Sequence, residues 1–506
     1  MECVRSAGKW VLFALIFSAS YTQAFLYAAN QHDKFLHGLA MAGEGLLNED
    51  WTARTTDPLP AFGFLVYLTS AFLHKYFFYA YYVVLFGIYI YSLMGTAAIV
   101  FDLKKSKLNY LAVFTVVLLY HSRLARVKIL ERGVAGQYLL GPEFQNSVFG
   151  VLLILSIYLF LRRYFVWSVI SLVFAAIMHS AYLFHAGLLT ISYMIVSLRE
   201  TKSVKKPVQL GLLALALVSP VLWYNMAYLD FTSKEIFQKS MYIMTHIRIP
   251  HHSLPSVWLD ASEYLKVGVM IAGLYLVRKS VLFIVLLIPF LAGAVLTVAQ
   301  LLTGSDAIAY FAPWRVSVFL VPVSGCIIAA SIVSMPFKRY QLESNENAKK
   351  ISRLCVAIIA LLVISGTAYQ IRDYVRLSSD KTLPLMNFVR ETKASGQIYL
   401  IPPRTDRFMG FRLYTGAPIL IHWKSEPYKD VELLQWYDRV LIAQRFYAAE
   451  GHEACAILQK IVDDYGVTHV IMDSARVMRD CSMLKEIFTE NGLSLLRIDL
   501  RKNVSG

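Results

Sequence analysis

The chain is poor in charge, and poorest in acid. Of its 506 residues only 16% are charged, and 34 Asp and Glu stand against 49 Lys and Arg. Its five cysteines, Cys3, Cys326, Cys355, Cys455 and Cys481, show no CxxC spacing, so no cysteine metal cluster is expected. No internal repeat or low-complexity tract stands out. That counts against a transporter built from two related halves. The C-terminal part has no Gly-rich phosphate loop and no hydrolase elbow, so neither chemistry is expected there.

What the chain has in quantity is apolar sequence. Hydrophobic residues make up 57% and the mean hydropathy is +0.52, too apolar for a soluble protein of this length. Repeated apolar runs of about 17–25 residues predict a polytopic helical membrane protein. The net charge of +15 does not predict nucleic-acid binding, because the basic residues gather in short loops between the apolar runs. The N-terminus, Met1–Lys9, is short and basic. The run after it reads as an uncleaved span, since no clean small-residue cleavage site follows.

The expected spans lie near Trp10–Ala29, Phe77–Val100, Leu108–His121, Asn146–Leu161, Tyr164–Met178, Tyr182–Ser197, Val208–Met226, Ala261–Val277, Val281–Leu302, Ala309–Val333 and Leu354–Tyr369. About eleven spans follow, with the N-terminus inside and the C-terminus outside. This topology requires Pro60–Leu73 to dip into the outer leaflet without crossing. Lys104, Lys105, Lys107, Arg162, Arg163, Arg199, Lys202, Arg278, Lys279 and the loop Lys338–Arg353 then all lie inside.

From Gln370 onward, charges become frequent and apolar runs shorten to strand length. Gln397–Ile401, Pro418–His422, Thr468–Met472 and Leu493–Ile498 read as strands, and Val431–Ala449 and Glu453–Tyr465 as helices. The expected organisation is an all-α polytopic membrane domain over 1–370, with an external loop 30–76 containing juxtamembrane helices. An extracytoplasmic α/β domain with a partly parallel sheet is expected over 371–506. Cys455 and Cys481 both fall in that domain, where an oxidising compartment would permit a disulfide.

The polar stretch Gln31–Pro60 carries the main functional signal. Asp33 opens a segment with apolar residues at Phe35, Leu36, Leu39, Ala42, Leu46 and Leu47, a spacing that predicts an amphipathic helix on the membrane surface. Asp50-Trp51 and then Asp57-Pro58-Leu59-Pro60 follow. This order resembles the first external loop of the GT-C glycosyltransferases, the multi-pass enzymes that use polyprenyl-phosphate sugars, such as aminoarabinose and protein mannosyltransferases. Asn48-Glu49 stands where that family often has a glycine.

The resemblance implies an inverting sugar transfer to an external carbohydrate, lipid or protein acceptor at a bacterial inner membrane. Asp33 would be the general base that takes the acceptor's proton. Asp50 would position the acceptor or a metal, and Asp57 would either contact substrate or simply make the Asp-Pro turn. No metal ligands are assigned, and a divalent metal is left open.

Several basic residues sit on the expected outer face, against the general charge bias. Arg123, Arg126, Lys128 and Arg132 in the loop Ser122–Gln145 ask for an anionic partner, such as the donor's phosphate or, more plainly, Glu131 or Glu143. Arg248, His251 and His252 read as phosphate or sugar contacts. Arg315, in Ala312-Pro313-Trp314-Arg315, would reach the lipid phosphate or pair with Asp306. Lys424–Tyr428 and Trp436–Arg439 are polar and aromatic enough for carbohydrate. Two other readings keep the same architecture: a lipid-linked glycan transporter or flippase, and a non-catalytic envelope-glycan assembly subunit.

Overall fold

A computed structural model describes residues 2–340, 345–477 and 481–499, with the side chains of 2–7, 338–340 and 345 undescribed. Most of the basic N-terminal stretch, and Lys338 and Arg339 of the expected inner loop, therefore lie outside the described side chains. The chain divides into two compact units. Unit 1 comprises 1–23, 78–224 and 241–372; unit 2 comprises 24–77, 225–240 and 373–506.

Unit 1 is helical. Among the described residues, six helices are long and apolar enough to cross a membrane: Phe77–Val100, Ser180–Thr201, Lys205–Tyr228, Leu282–Thr303, Asp306–Phe337 and Glu346–Ser378. That corrects the expected count of about eleven. Three further apolar helices of this unit, Lys107–His121, Asn146–Leu161 and Phe165–Met178, are shorter. The first helix runs Glu2–Tyr21, with its side chains described from Gly8 onward. At ~1.5 Å per residue, a helix of about 15 residues covers only ~22 Å of a ~30 Å hydrocarbon core. Backbone conformation marks two of the helix ends: the first helix stops at Tyr21, where Thr22 turns left-handed (φ 65°), and Leu161 is followed by Arg163 at φ 67°.

Small residues set how closely these helices pack. A side chain at Gly366 would come within 2.0 Å of the Ala19 carbonyl, and one at Gly273 within 2.5 Å of Ser324. Such close backbone approach is how helices associate where lipid removes the hydrophobic drive between them. Two long helices meet little protein. Only 11% of the apolar window of Lys205–Tyr228 and 17% of that of Glu346–Ser378 is buried, which leaves faces fit for lipid.

Unit 2 holds a four-stranded sheet, β1 (Tyr399–Leu400), β2 (His469–Asp473), β3 (Leu484–Glu490) and β4 (Leu493–Ile498), in the order β1-β2-β4-β3. β1 and β2 are parallel, and the other pairs are antiparallel. The Asn491-Gly492 turn closes the β3–β4 hairpin with both residues at positive φ (54° and 77°), as a two-residue hairpin turn needs. The helices Leu383–Thr392, Asp430–Ala448 and Gly451–Tyr465 belong to the same unit. Leu385, Val389, Tyr399, Phe411, Ile471 and Leu495 form its core. Cys455 and Cys481 are joined in a disulfide, with Cα atoms 5.7 Å apart.

The segment 30–76, expected as an external loop of the membrane domain, lies within 24–77, which folds as part of unit 2. The Leu46 N–H donates to the Gly416 carbonyl at 2.7 Å. The amphipathic surface helix expected from Phe35 to Leu47 is absent as such. Two short helices, Gln31–Lys34 and Leu36–Met41, give way to a turn with Gly43 and Gly45 at positive φ. Phe35, Leu36, Leu39 and Leu47 are buried in protein instead of facing lipid. The following helix, Pro60–Phe72, keeps an exposed apolar face at Phe64, Leu68 and Phe72.

Candidate functional site

In unit 2, Asp33 sits on the one-turn helix Gln31–Lys34, whose N-cap is Asn30. Helix capping therefore does not account for its carboxylate. Asp33 Oδ2 accepts from Lys34 Nζ at 2.6 Å, and both side chains are largely buried. Burial works against the Lys34 ammonium, but the Asp33 carboxylate, with Tyr428 and Glu426, overrides it and holds the amine above its usual range. Lys34 also lies 5.1 Å from the centre of the Tyr428 ring.

Asp33, Lys34, His37, Asp57, Glu426 and Pro427 line one cleft of about 10 Å³, room for little more than one water. Asp57 Oδ1 accepts from the Leu59 N–H at 2.8 Å, the turn bond that leads into the helix Pro60–Phe72, and lies 4.0 Å from His37 Nδ1. His37 Nε2 is 3.1 Å from the Thr55 carbonyl, which can only accept, so Nε2 carries the proton and Nδ1 faces Asp57. Three carboxylates, an ammonium and an imidazole thus share a space that few water molecules enter. Such a set can accept a proton from a hydroxyl and stabilise the charge that develops.

Beside Asp33, His32 is fully buried, and neither ring nitrogen has a hydrogen-bond partner among the described residues. Its ring meets His422 edge-on at 4.7 Å. Burial, then His422 and Arg412, push the His32 pKa well below the usual imidazole range, and burial takes His422 down to about 4. Both rings are neutral near pH 7.

Asp50 has a different role from the expected one. Its carboxylate is fully buried, 3.1 Å from Arg412 Nη1, and accepts from the backbone N–H groups of Thr52 (2.9 Å) and Ile419 (3.0 Å). Arg412 Nη2 donates onward to the His32 carbonyl at 2.9 Å. These three contacts of Asp50 are architectural. Trp436 is likewise a core residue, with Nε1 donating to the His422 carbonyl at 3.1 Å. Arg439 stacks between the rings of Trp51 and Tyr465.

Most of the basic candidates lie in unit 1 and are linked to one another. Arg126 and Arg132 flank Glu131, with Nε–Oε1 distances of 3.4 and 3.5 Å. Arg126 also covers the Tyr21 ring at 4.2 Å, and Arg132 the Tyr138 ring at 5.2 Å. Burial lifts the Glu131 pKa to about 7, against the opposing pull of Arg126 and Arg132. Lys128 is exposed on the same helical turn.

The loop that carries these groups is pinned. The Val134 N–H donates to Ser317 Oγ at 2.7 Å and the Ala135 N–H to Glu263 Oε2 at 2.9 Å, while His252 Nδ1 lies 2.6 Å from the Ala135 carbonyl. Burial, His251, and then Arg315 and Arg248 bring the His252 pKa down to about 4. Arg315 thus lies within electrostatic reach of His252, as it does of Tyr182 and His185. Asp306, expected as a partner for Arg315, pairs with His246 at 2.7 Å. Arg123 turns away to the Tyr369 ring at 5.8 Å.

The Nε atoms of Arg126 and Arg132 both face Glu131, while Arg315 Nε is buried without a hydrogen bond among the described residues. A buried guanidinium donor of that kind suits an anionic ligand. No group of three or more His, Cys, Asp or Glu residues is placed to hold a metal among the described residues.

Sequence reasoning did not single out Lys34, His37 or Arg412, nor Glu131 as more than a counter-ion. Glu426 appeared only within a polar stretch. Arg412 lies 362 residues from Asp50 in the chain, so no local pattern joins them.

The class of protein is thus a multi-helix protein of membrane type that carries an α/β unit. A domain family described as a domain of unknown function (DUF6798) matches residues 380–442, the stretch that holds Arg412 and Glu426. No curated protein matches the chain.

Proposed function

We propose that the protein is a membrane glycosyltransferase that moves a sugar from a polyprenyl-phosphate donor to an external acceptor, with inversion at the anomeric carbon. The observation that carries the reading is the cleft of unit 2. Asp33 and Asp57, picked from the first loop by their order alone, line it together with Glu426. In the proposed step Asp33 takes the proton of the acceptor hydroxyl as that oxygen attacks C1. The C1–O bond to phosphate breaks, and the leaving polyprenyl phosphate carries the electron pair away. A phosphate needs little protonation to leave. Opening of the Glu426-Pro427 side would admit the hydroxyl, since the cleft is nearly filled.

Within unit 1, Arg126 and Arg132 about Glu131, together with Arg315, are assigned to an anionic head group. The chain would sit in a bacterial inner membrane with unit 2 outside and Pro60–Phe72 in the outer leaflet, an orientation taken from the Lys/Arg bias.

The direct test is sugar transfer by the purified full-length protein, supplied with a panel of synthetic polyprenyl-phosphate sugars. Release of free polyprenyl phosphate is expected for at least one donor. Saturable donor binding with no release, across the panel and with envelope extract as acceptor, would support a flippase instead.

A further inference from the structure

Unit 2 contains a second, much larger cavity of about 670 Å³, apart from the Asp33 cleft. Its lining comes from three places: the loop after β1 (Arg407, Phe408), the end of β2 and the turn after it (Asp473, Arg476), and the junction between the helices Asp430–Ala448 and Gly451–Tyr465 (Phe446, Tyr447, Glu450). β1 and β2 are parallel, so the cavity opens beyond their carboxyl ends, where α/β sheets commonly hold ligands. Its volume falls within the range of small-molecule sites, roughly 300–1,000 Å³.

The lining narrows the ligand class. Arg407 and Arg476 are balanced by Glu450 and Asp473, so the site has no net formal charge and does not favour a polyanion. Arg407 and Asp473 pair at 3.3 Å with both side chains partly exposed, which presents donors and acceptors side by side. Vicinal hydroxyls both donate and accept, and they match such a pair. Tyr447, half-buried, supplies aromatic wall for the apolar face of a sugar ring, with the nearly buried Phe408 and Phe446 at its back. The Tyr447 hydroxyl lies between the carbonyls of Leu400 (3.0 Å) and Ile471 (2.7 Å) and shares its one proton with them, so that wall is set before any ligand arrives.

We infer that this cavity binds a short neutral saccharide. As an acceptor site, the assignment rests on the transferase reading; as a binding site, it does not.

The test is equilibrium binding to the full-length protein in detergent. The probes are maltotriose, tri-N-acetylchitotriose, a rhamnose trisaccharide and trigalacturonate, with inorganic pyrophosphate as the non-sugar anion. At least one neutral trisaccharide should bind saturably. Asp473→Ala and Ala475→Trp, the latter placing a bulky ring at the exposed rim, should each weaken binding roughly tenfold or more. An unchanged melting temperature and an intact Cys455–Cys481 disulfide would show that the variants fold, and Arg476→Ala is the substitute if either does not. Absence of binding by every neutral trisaccharide overturns the assignment. So does a preference for pyrophosphate, or binding indifferent to all the variants. Sugar binding without donor turnover would leave this inference standing and remove the transferase reading, while turnover without sugar binding would do the reverse.

Discussion

Arg412 and Asp50 form an ion pair 3.1 Å long in which neither side chain is exposed. The pair fastens the first loop to the later part of unit 2, with the carboxylate's other contacts going to the backbone at Thr52 and Ile419. Removing one partner strands the other charge in a dry interior. Asp50→Ala or Arg412→Met should therefore destabilise unit 2 by about 3–5 kcal/mol. The double variant Asp50→Leu/Arg412→Met should cost clearly less than the two singles added together. Thermal unfolding of the purified protein, followed by a signal from unit 2, reads this. Single variants that melt with the parent would show that the pair does not hold the loop.

The Cys455–Cys481 disulfide gives a second stability prediction. It closes a loop with a sequence separation of 26 residues, worth roughly 3 kcal/mol by chain entropy. Cys455→Ser/Cys481→Ser should lower the midpoint of denaturation accordingly. Alkylation followed by mass spectrometry should leave both residues unmodified until a reductant is added. Modification of both without reductant, in protein purified from its native membrane, would place unit 2 in a reducing compartment.

Two exposed serines flank the long helix Lys205–Tyr228 and test the membrane reading directly. Ser203 precedes it and Ser233 follows it. With single cysteines introduced at these positions, an impermeant thiol reagent should label Ser233→Cys in intact cells. Ser203→Cys should react only after lysis. Ser425, in unit 2, is buried and would report nothing. Labelling of both positions from one side would mean that this helix does not cross.

How far the sequence could reach is clear from particular residues. The change of composition at Gln370 lies close to the start of the C-terminal part of unit 2 at 373, because a packed α/β core needs shorter apolar runs than lipid does. The helices Asp430–Ala448 and Gly451–Tyr465 and the strands β2 and β4 were legible from periodicity. β3 was missed because its residues alternate poorly between buried and exposed. The helices Lys107–His121, Asn146–Leu161 and Phe165–Met178 lie within a residue of the expected runs, but runs this short were counted as spans. The first span was set too far along the chain, because Thr22 at positive φ ends that helix at Tyr21. Asp33 and Asp57, chosen from their order in the loop, line one cleft. The role of Asp50 was not, since it depends on Arg412 far along the chain.

Glu131 gives a pH prediction. Its folded pKa of about 7 lies above the unfolded value of about 4.5, so its protonated form favours the fold. That contribution is full below about 4.5 and is lost as pH rises through 7. The same ionisation places a negative charge between Arg126 and Arg132. A phosphodiester donor should accordingly bind more weakly at pH 8 than at pH 6. The expected factor is roughly tenfold, from about 1–2 kcal/mol between charges ~10 Å apart at an effective dielectric near 20. Glu131→Gln should keep the tight low-pH affinity across the whole range. A pH dependence that survives this substitution would have to come from another group.

The last prediction concerns the base. Asp33, Asp57 and Glu426 share the cleft, but they are not equivalent. Asp57 is committed to the Leu59 turn and to His37, while Asp33 is held by the Lys34 ammonium. That ion pair keeps the Asp33 carboxylate oriented. Asp33→Asn retains the shape and one acceptor oxygen but loses the proton-accepting group. Turnover should fall roughly 10²–10⁴-fold, the range for loss of a general base, with donor binding nearly unchanged. Asp57→Asn keeps the turn bond through its amide oxygen and should be much milder. Glu426→Gln separates the remaining candidate: a loss as deep as that of Asp33→Asn, with Asp33→Asn itself near normal, would move the base to Glu426. The measurement is kcat for sugar transfer beside donor Kd, for the parent and all three variants. Near-normal turnover in every one of them would leave the cleft without a catalytic role.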